Sequence, residues 1–179
     1  MATEYDGSGI ETLDQIKEAW KATSAEVNEL FGGVSDEQFT ASCSDRWTYA
    51  KNLEHLTTSA MAFVKGLGMP KMALRLAIGK GDGTSRSLME VQRFYKKTLA
   101  EGGQAGGKFV PAGQASKADA LEEWNKCDQL LQKNLASWKE SQLDTHRMPH
   151  PLIGKLTVRE MLFFTIFHTH HHLNNLKSD

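Results

Sequence analysis

The residues best equipped for chemistry lie in FFTIFHTHHHLNNLKSD, where four of the chain's seven histidines, His168 and His170 to His172, occupy five positions behind a run of Phe, Ile and Met. A purification tag is usually longer, uninterrupted and appended after a linker. This tract is broken by Thr169 and runs on into Leu173 and Leu176, so its histidines read as native. Residues four apart on a helix share a face, about 6 Å from one another, which places His168 and His172 together. Two imidazoles so spaced can bind one metal ion, but a lasting site usually takes a third protein ligand from elsewhere in the fold. His55, beside Leu53 and Leu56, is the candidate. His171 could replace His172 at the i, i+3 spacing, and spacing alone leaves that choice open. His170 falls on the face of Phe163 and Ile166, while His146 and His150 sit in the Pro-containing loop THRMPHPLIG and are not expected to be ligands.

Other constellations carry less. Ser59 lies one turn after His55, but nothing resembles the strained G-x-S-x-G elbow of a serine hydrolase. Cys43 and Cys127 have neither C-x-x-C spacing nor a nucleophile's surroundings. GKGDGTS lacks the glycine spacing and the Lys-Ser/Thr ending of a phosphate-binding loop and reads as a connection between short helices. Glu54 points about 100° around the helix from His55 and reads as a solvent-facing charge. No catalytic acid or base is assigned.

The elements that must position the histidines are helices. Leu13, Ile16, Trp20, Thr23, Val27 and Leu30 recur at spacings of three and four, the pattern of an amphipathic helix over 10–31, which Gly32-Gly33 is expected to end through a left-handed cap. A second helix, 47–67, starts near Trp47 with Asp45 or Thr48 as cap and carries Leu53, Leu56, Ala60, Phe63 and Val64 inward. A third, 117–139, opens at Ser116 with Asp119 three residues on and aligns Leu121, Trp124, Leu131, Leu135 and Trp138. The last, 157–177, opens at Thr157 with Glu160 as its capping-box partner and extends the stripe Val158, Met161 and Thr165 into His168 and His172. Between the second and third lies an insertion, 69–113, with helical pieces near 69–78 and 85–99 and a glycine-rich crossover, EGGQAGGKFVPAG. No stretch has the period-two alternation of a strand. The expected class is all-α, a four-helix bundle with a long helical crossover between its second and third helices, formed as one domain over 1–179.

Composition narrows the rest. A formal net charge of -1 gives no global attraction to nucleic acid or an anionic membrane. No apolar run approaches the ~20 residues of a membrane-spanning helix, and no signal peptide precedes the first helix, so a soluble cytoplasmic protein is expected. The last helix is apolar around much of its circumference at 161–167, more than one bundle interior covers, which predicts a homodimer.

The segments WTYAKNLEHL and GKLTVREMLFFTIFHTHHHLNNL resemble the second and fourth helices of the DinB/YfiT-like superfamily of metal-binding four-helix bundles. The resemblance covers most of the chain. It implies one ligand from a Trp-initiated second helix and two from the fourth, which here are His55, His168 and His172, so that similarity selects His172 over His171. It also implies Zn²⁺ or Ni²⁺ with positions left open, and the activity of a thiol S-transferase using a low-molecular-weight thiol or of a metal-dependent hydrolase acting on a small molecule. An ion with an open position can lower the pKa of bound water toward ~7 or bind a thiol as thiolate. The alternative is a non-enzymatic, stress-associated or small-molecule-binding bundle with a structural or vestigial metal site. The chain departs from the family pattern at Asn174-Asn175, where Gly-Gln is more usual, and in the length of its insertion.

Overall fold

The computed structural model describes residues 5–42 and 46–177; Cys43 and Asp45 lie outside them. Helix α1 (Leu13–Gly33) starts in a capping box in which the Thr12 hydroxyl accepts from the Gln15 amide while the Gln15 side chain accepts from the Thr12 amide. It begins later than the 10–31 pattern suggests and runs through both glycines. Neither glycine is left-handed; Val34 leaves the helix extended, because Ser35 immediately caps a new short helix, α2 (Asp36–Thr40). The next helix is α3 (Tyr49–Leu67), capped by Thr48. Two further helices follow, α4 (Lys71–Ile78) and α5 (Leu88–Ala100), then a single 3₁₀ turn at Gly107–Phe109. Helix α6 (Lys117–Leu135) is capped by Ser116. It stops short of residue 139 because the chain turns there to bury Trp138, whose indole N–H donates to the Leu67 carbonyl at 3.1 Å. After α7 (Glu140–Leu143) comes an antiparallel hairpin of β1 (Arg147–His150) and β2 (Gly154–Thr157), with Arg147 opposite Thr157 and His150 opposite Gly154. Four-residue strands are too short to display an alternation, so the sequence does not announce them. Helix α8 (Val158–Lys177) closes the described chain.

The four long helices form a bundle in which α1 packs between α6 and α8, and α3 packs between the same two. Consecutive long helices therefore sit across the bundle from one another in two of three cases. Its core joins Ile16, Trp20 and Phe31 of α1 with Leu53 of α3, Trp124 of α6 and Phe163 and Phe167 of α8. Burying one such side chain stabilises by about 1.5–3 kcal/mol. Helix α5 and the hairpin pack on the side of α8 that the bundle leaves open, so every residue from Glu160 to Thr169 is buried within the chain itself. Among the described residues no helix is long and apolar enough to cross a membrane.

Candidate metal centre

His55 stands in the second turn of α3, and His168 and His172 stand one turn apart near the end of α8. Because α3 begins where α8 ends, the three rings meet at one end of the bundle. A nitrogen of each lies within 4.8 Å of the other two. The His55 and His168 Nε2 atoms are 3.3 Å apart, which matches the ligand-to-ligand edge of about 3.3 Å that follows from tetrahedral geometry with Zn–N bonds of 2.0–2.1 Å. His170 and His171 are not part of this group. His170 turns to α1, stacked on Tyr5 at 4.0 Å with Nε2 at 2.9 Å from the Thr23 hydroxyl, and His171 faces Asn175.

The surroundings orient two of the rings. His55 Nδ1–H donates to the Phe109 carbonyl at 2.7 Å, leaving the Nε2 lone pair free to face its neighbours. His172 Nδ1–H donates to Asn52 Oδ1 at 2.7 Å. That amide cannot be flipped without loss, because its Nδ2 donates to the Trp47 and Thr48 carbonyls at 3.0 and 2.9 Å. A histidine held by a carbonyl on one nitrogen presents the other to a metal, the usual arrangement of ligands in metal sites. His168 is placed by packing instead, stacked on Phe164 with ring centroids 4.8 Å apart. Trp47 lies over the group, 5.0 Å from the His55 ring and 6.0 Å from that of His172. Burial, followed by the proximity of the other imidazoles, holds the pKa of His168 and of His172 well below the ordinary histidine value, and burial lowers His55 too. All three are therefore neutral near pH 7, the form that binds metal.

Two features lie beyond the sequence reading. Glu54 is not a free surface charge: its carboxylate accepts from the amides of Ala112 and Gly113, at 3.2 and 2.6 Å, and so fastens the crossover whose Phe109 carbonyl orients His55. Gly113 allows this approach with a φ of 72°; a Cβ there would meet Lys51 Cγ at 2.7 Å. His150 is not a loop residue but the buried end of β1, beside Phe164 with ring centroids 4.3 Å apart. Cys127 is buried and its thiol is pushed up to about 12 by burial and then Asp128, which leaves it inert.

His55 and His168 form part of the wall of a cavity of about 720 Å³, which runs between α3, α5, the hairpin and α8. Its lining is mainly apolar, including Leu56, Phe63, Met148, Met161 and Phe164, with exposed Lys65 and Lys108 also on its wall. Sites for small molecules have this character: a concave apolar body with a few convergent polar groups.

Comparisons with known proteins agree with the fold. The model of the DinB superfamily matches residues 15–176. Among solved structures, the chain is similar to TT2238, a four-helix bundle protein, with a TM-score of 0.60 and 16% identity over 94% of this chain and 100% of that one. It is also similar to YfiT from Bacillus subtilis, described as a probable metal-dependent hydrolase with an unusual four-helix bundle topology, with a TM-score of 0.54 and 16% identity over 97% of this chain and 90% of that one. At this identity the likeness shows the fold. Comparison with curated proteins found no match.

Proposed function

The chain belongs to the DinB superfamily, and from that membership we propose that it is a metal-dependent enzyme, a hydrolase or a thiol S-transferase, holding one Zn²⁺ or Ni²⁺ on His55, His168 and His172. The observation that carries this reading is the convergence of three neutral imidazoles, two buried and the third half-buried, with His55 and His168 in the wall of the apolar cavity. The donor set suits such ions, since imidazole is an accepted ligand of both zinc and nickel. A bound ion would supply Lewis acidity, which hydrolysis and thiol activation both require. The chain's own part is to fix the donors through Asn52 and the Phe109 carbonyl, to shield the site with Trp47 and to receive the reacting molecule in the cavity. In the transferase case the second reactant is a low-molecular-weight thiol, and the cytoplasm is the compartment that would supply it.

The size and apolar lining of the cavity favour one further reading, a non-enzymatic bundle that binds a small molecule and keeps the metal for structure. A homodimer is also proposed. Because the apolar circumference of α8 is enclosed by α5 and the hairpin, its interface would use other surfaces, such as that of α4 with its exposed Met72 and Leu76; sedimentation equilibrium measures it directly.

The decisive test is elemental analysis of untagged protein beside the His55→Ala and His168→Ala variants. About one tightly held zinc or nickel per chain is expected, lost in both variants while helical circular dichroism persists. A native protein that takes up no metal after dialysis against zinc refutes the metalloenzyme.

A further inference from the structure

His150 has a geometry that the metal site does not use. It ends β1, and the turn that follows folds back so that the amides of Leu152 and Ile153 both donate to its Nδ1 at 3.2 Å. A nitrogen that accepts two N–H groups carries no proton of its own, so the proton of the neutral ring is on Nε2. The turn thus selects the tautomer. Nε2 lies on the opposite edge of the ring, away from the hairpin turn, and no described residue offers it a hydrogen-bond partner. The ring itself is held by Phe164, at 4.3 Å between centroids, and by Tyr95 at 6.3 Å, and it forms part of the cavity wall shared with His55 and His168. Burial lowers its pKa to about 4, so the ring stays neutral through the physiological range. A donor with a fixed proton, set in an apolar wall, is suited to one kind of partner: an uncharged acceptor on an otherwise apolar molecule.

We propose that the cavity binds an apolar small molecule bearing a carbonyl-type oxygen, and that His150 Nε2–H donates to that oxygen and orients it beside the histidine triad. This rests on the reading of this end of the bundle as a small-molecule site, and it names the class of molecule and the residue that selects it. His150 acts as a specificity and positioning residue: it sets which end of the guest lies toward His55 and His168.

The test uses two aromatic probes of similar size, benzylacetone, which has a ketone, and butylbenzene, which has none. Each is titrated by heteronuclear NMR into the full-length protein, into His150→Asn and into His150→Gln. Asparagine can still accept from the turn amides but has no group at the Nε2 position, whereas glutamine can place an amide N–H there. The expected result is that ketone binding weakens roughly fivefold in His150→Asn, recovers in His150→Gln, and that butylbenzene binding is the same in all three. The imidazole nitrogen spectrum of the unaltered protein should show the proton of His150 on Nε2, with that nitrogen's signal moving on addition of ketone and not of hydrocarbon. A proton on Nδ1, or a ratio of ketone to hydrocarbon affinity unchanged in His150→Asn, overturns the proposal. Should His150→Asn fail to fold, the nitrogen spectrum decides alone. Zinc uptake is measured on the same samples: a protein that takes no zinc but keeps the ketone preference loses the metal reading and retains this one.

Discussion

At the scale of single residues, the triad depends on groups that never touch the ion's place. Asn52 is the clearest: one oxygen orients His172 while its amide nitrogen is anchored to two carbonyls at the start of α3. Asn52→Leu should therefore weaken zinc binding about 10- to 100-fold with helical content retained, as competition against a chelator of known affinity would show. An unchanged affinity would mean that packing alone orients the ring. Position supplied a hint of Asn52, three residues before His55 and so on its face of the helix. Nothing in residue type hinted at the Phe109 carbonyl, because every residue has one. His150 gives a pH test. Its folded pKa, about 4, lies below the ordinary 6.5, so folding is unaffected by this group above pH 6.5 and loses stability as the pH falls from there toward 4, where only the unfolded chain takes the proton. At pH 5 the loss is about 2 kcal/mol. Urea denaturation at pH 7 and pH 5 should show a loss that is smaller in His150→Asn than in the unaltered protein by about this amount, the other histidines with lowered pKa values contributing to both.

At the scale of elements, the join between β2 and α8 concentrates the polar chemistry that the bundle interior avoids. Glu160 caps α8 by accepting from the Thr157 amide at 3.0 Å and also receives the Arg86 amide and guanidinium at 2.9 and 2.8 Å, tying the segment before α5 to the start of α8. Burial opposes its ionisation, but the hydrogen bonds from Arg86 and Thr157 outweigh burial and hold its pKa below the ordinary value. The stabilisation is thus present above about pH 4.5 and is lost as the pH falls through the lower folded value. Glu160→Gln should cost about 2 kcal/mol at pH 7, lowering Tm by roughly 4–8 °C, and the difference from the unaltered protein should shrink in acid; calorimetry at both pH values measures it. Helices with a long apolar stripe and a side-chain cap, such as that from Thr157 with Glu160, were legible from sequence, and so was the i, i+4 pair they carry. The hairpin was not, since RMPH and GKLT are too short to show a period. Hidden with it was the environment of His150, which looks like any loop histidine until β1 pairs with β2. Glu54 was misread for a related reason: its partners are backbone amides of a glycine-rich crossover whose path no side-chain pattern records.

At the scale of the whole molecule, the order of the helices around the bundle is what makes a site at all. An apolar stripe reads the same whichever neighbour covers it, so the sequence named the long helices without naming who sits beside whom. The connection through α2 carries the chain across the bundle from α1 to α3, and that through α7 and the hairpin carries it across from α6 to α8, which leaves the start of α3 against the end of α8. The residues joined there, His55 and His168, are 113 positions apart in the chain. An ion shared between them would tether the last turns of α8, which as a helix end would otherwise open often and at little cost. Amides beyond His168 should accordingly exchange their hydrogens at least tenfold more slowly in the zinc-loaded protein than in the metal-free one, and equal rates would show that the ion does not restrain that end. The same tether would make the end of α8 a point of entry for proteolysis only when the ion is absent. If the triad holds an ion in the cell, scarcity of that metal would shorten the molecule's lifetime, and its abundance would follow the ion's supply.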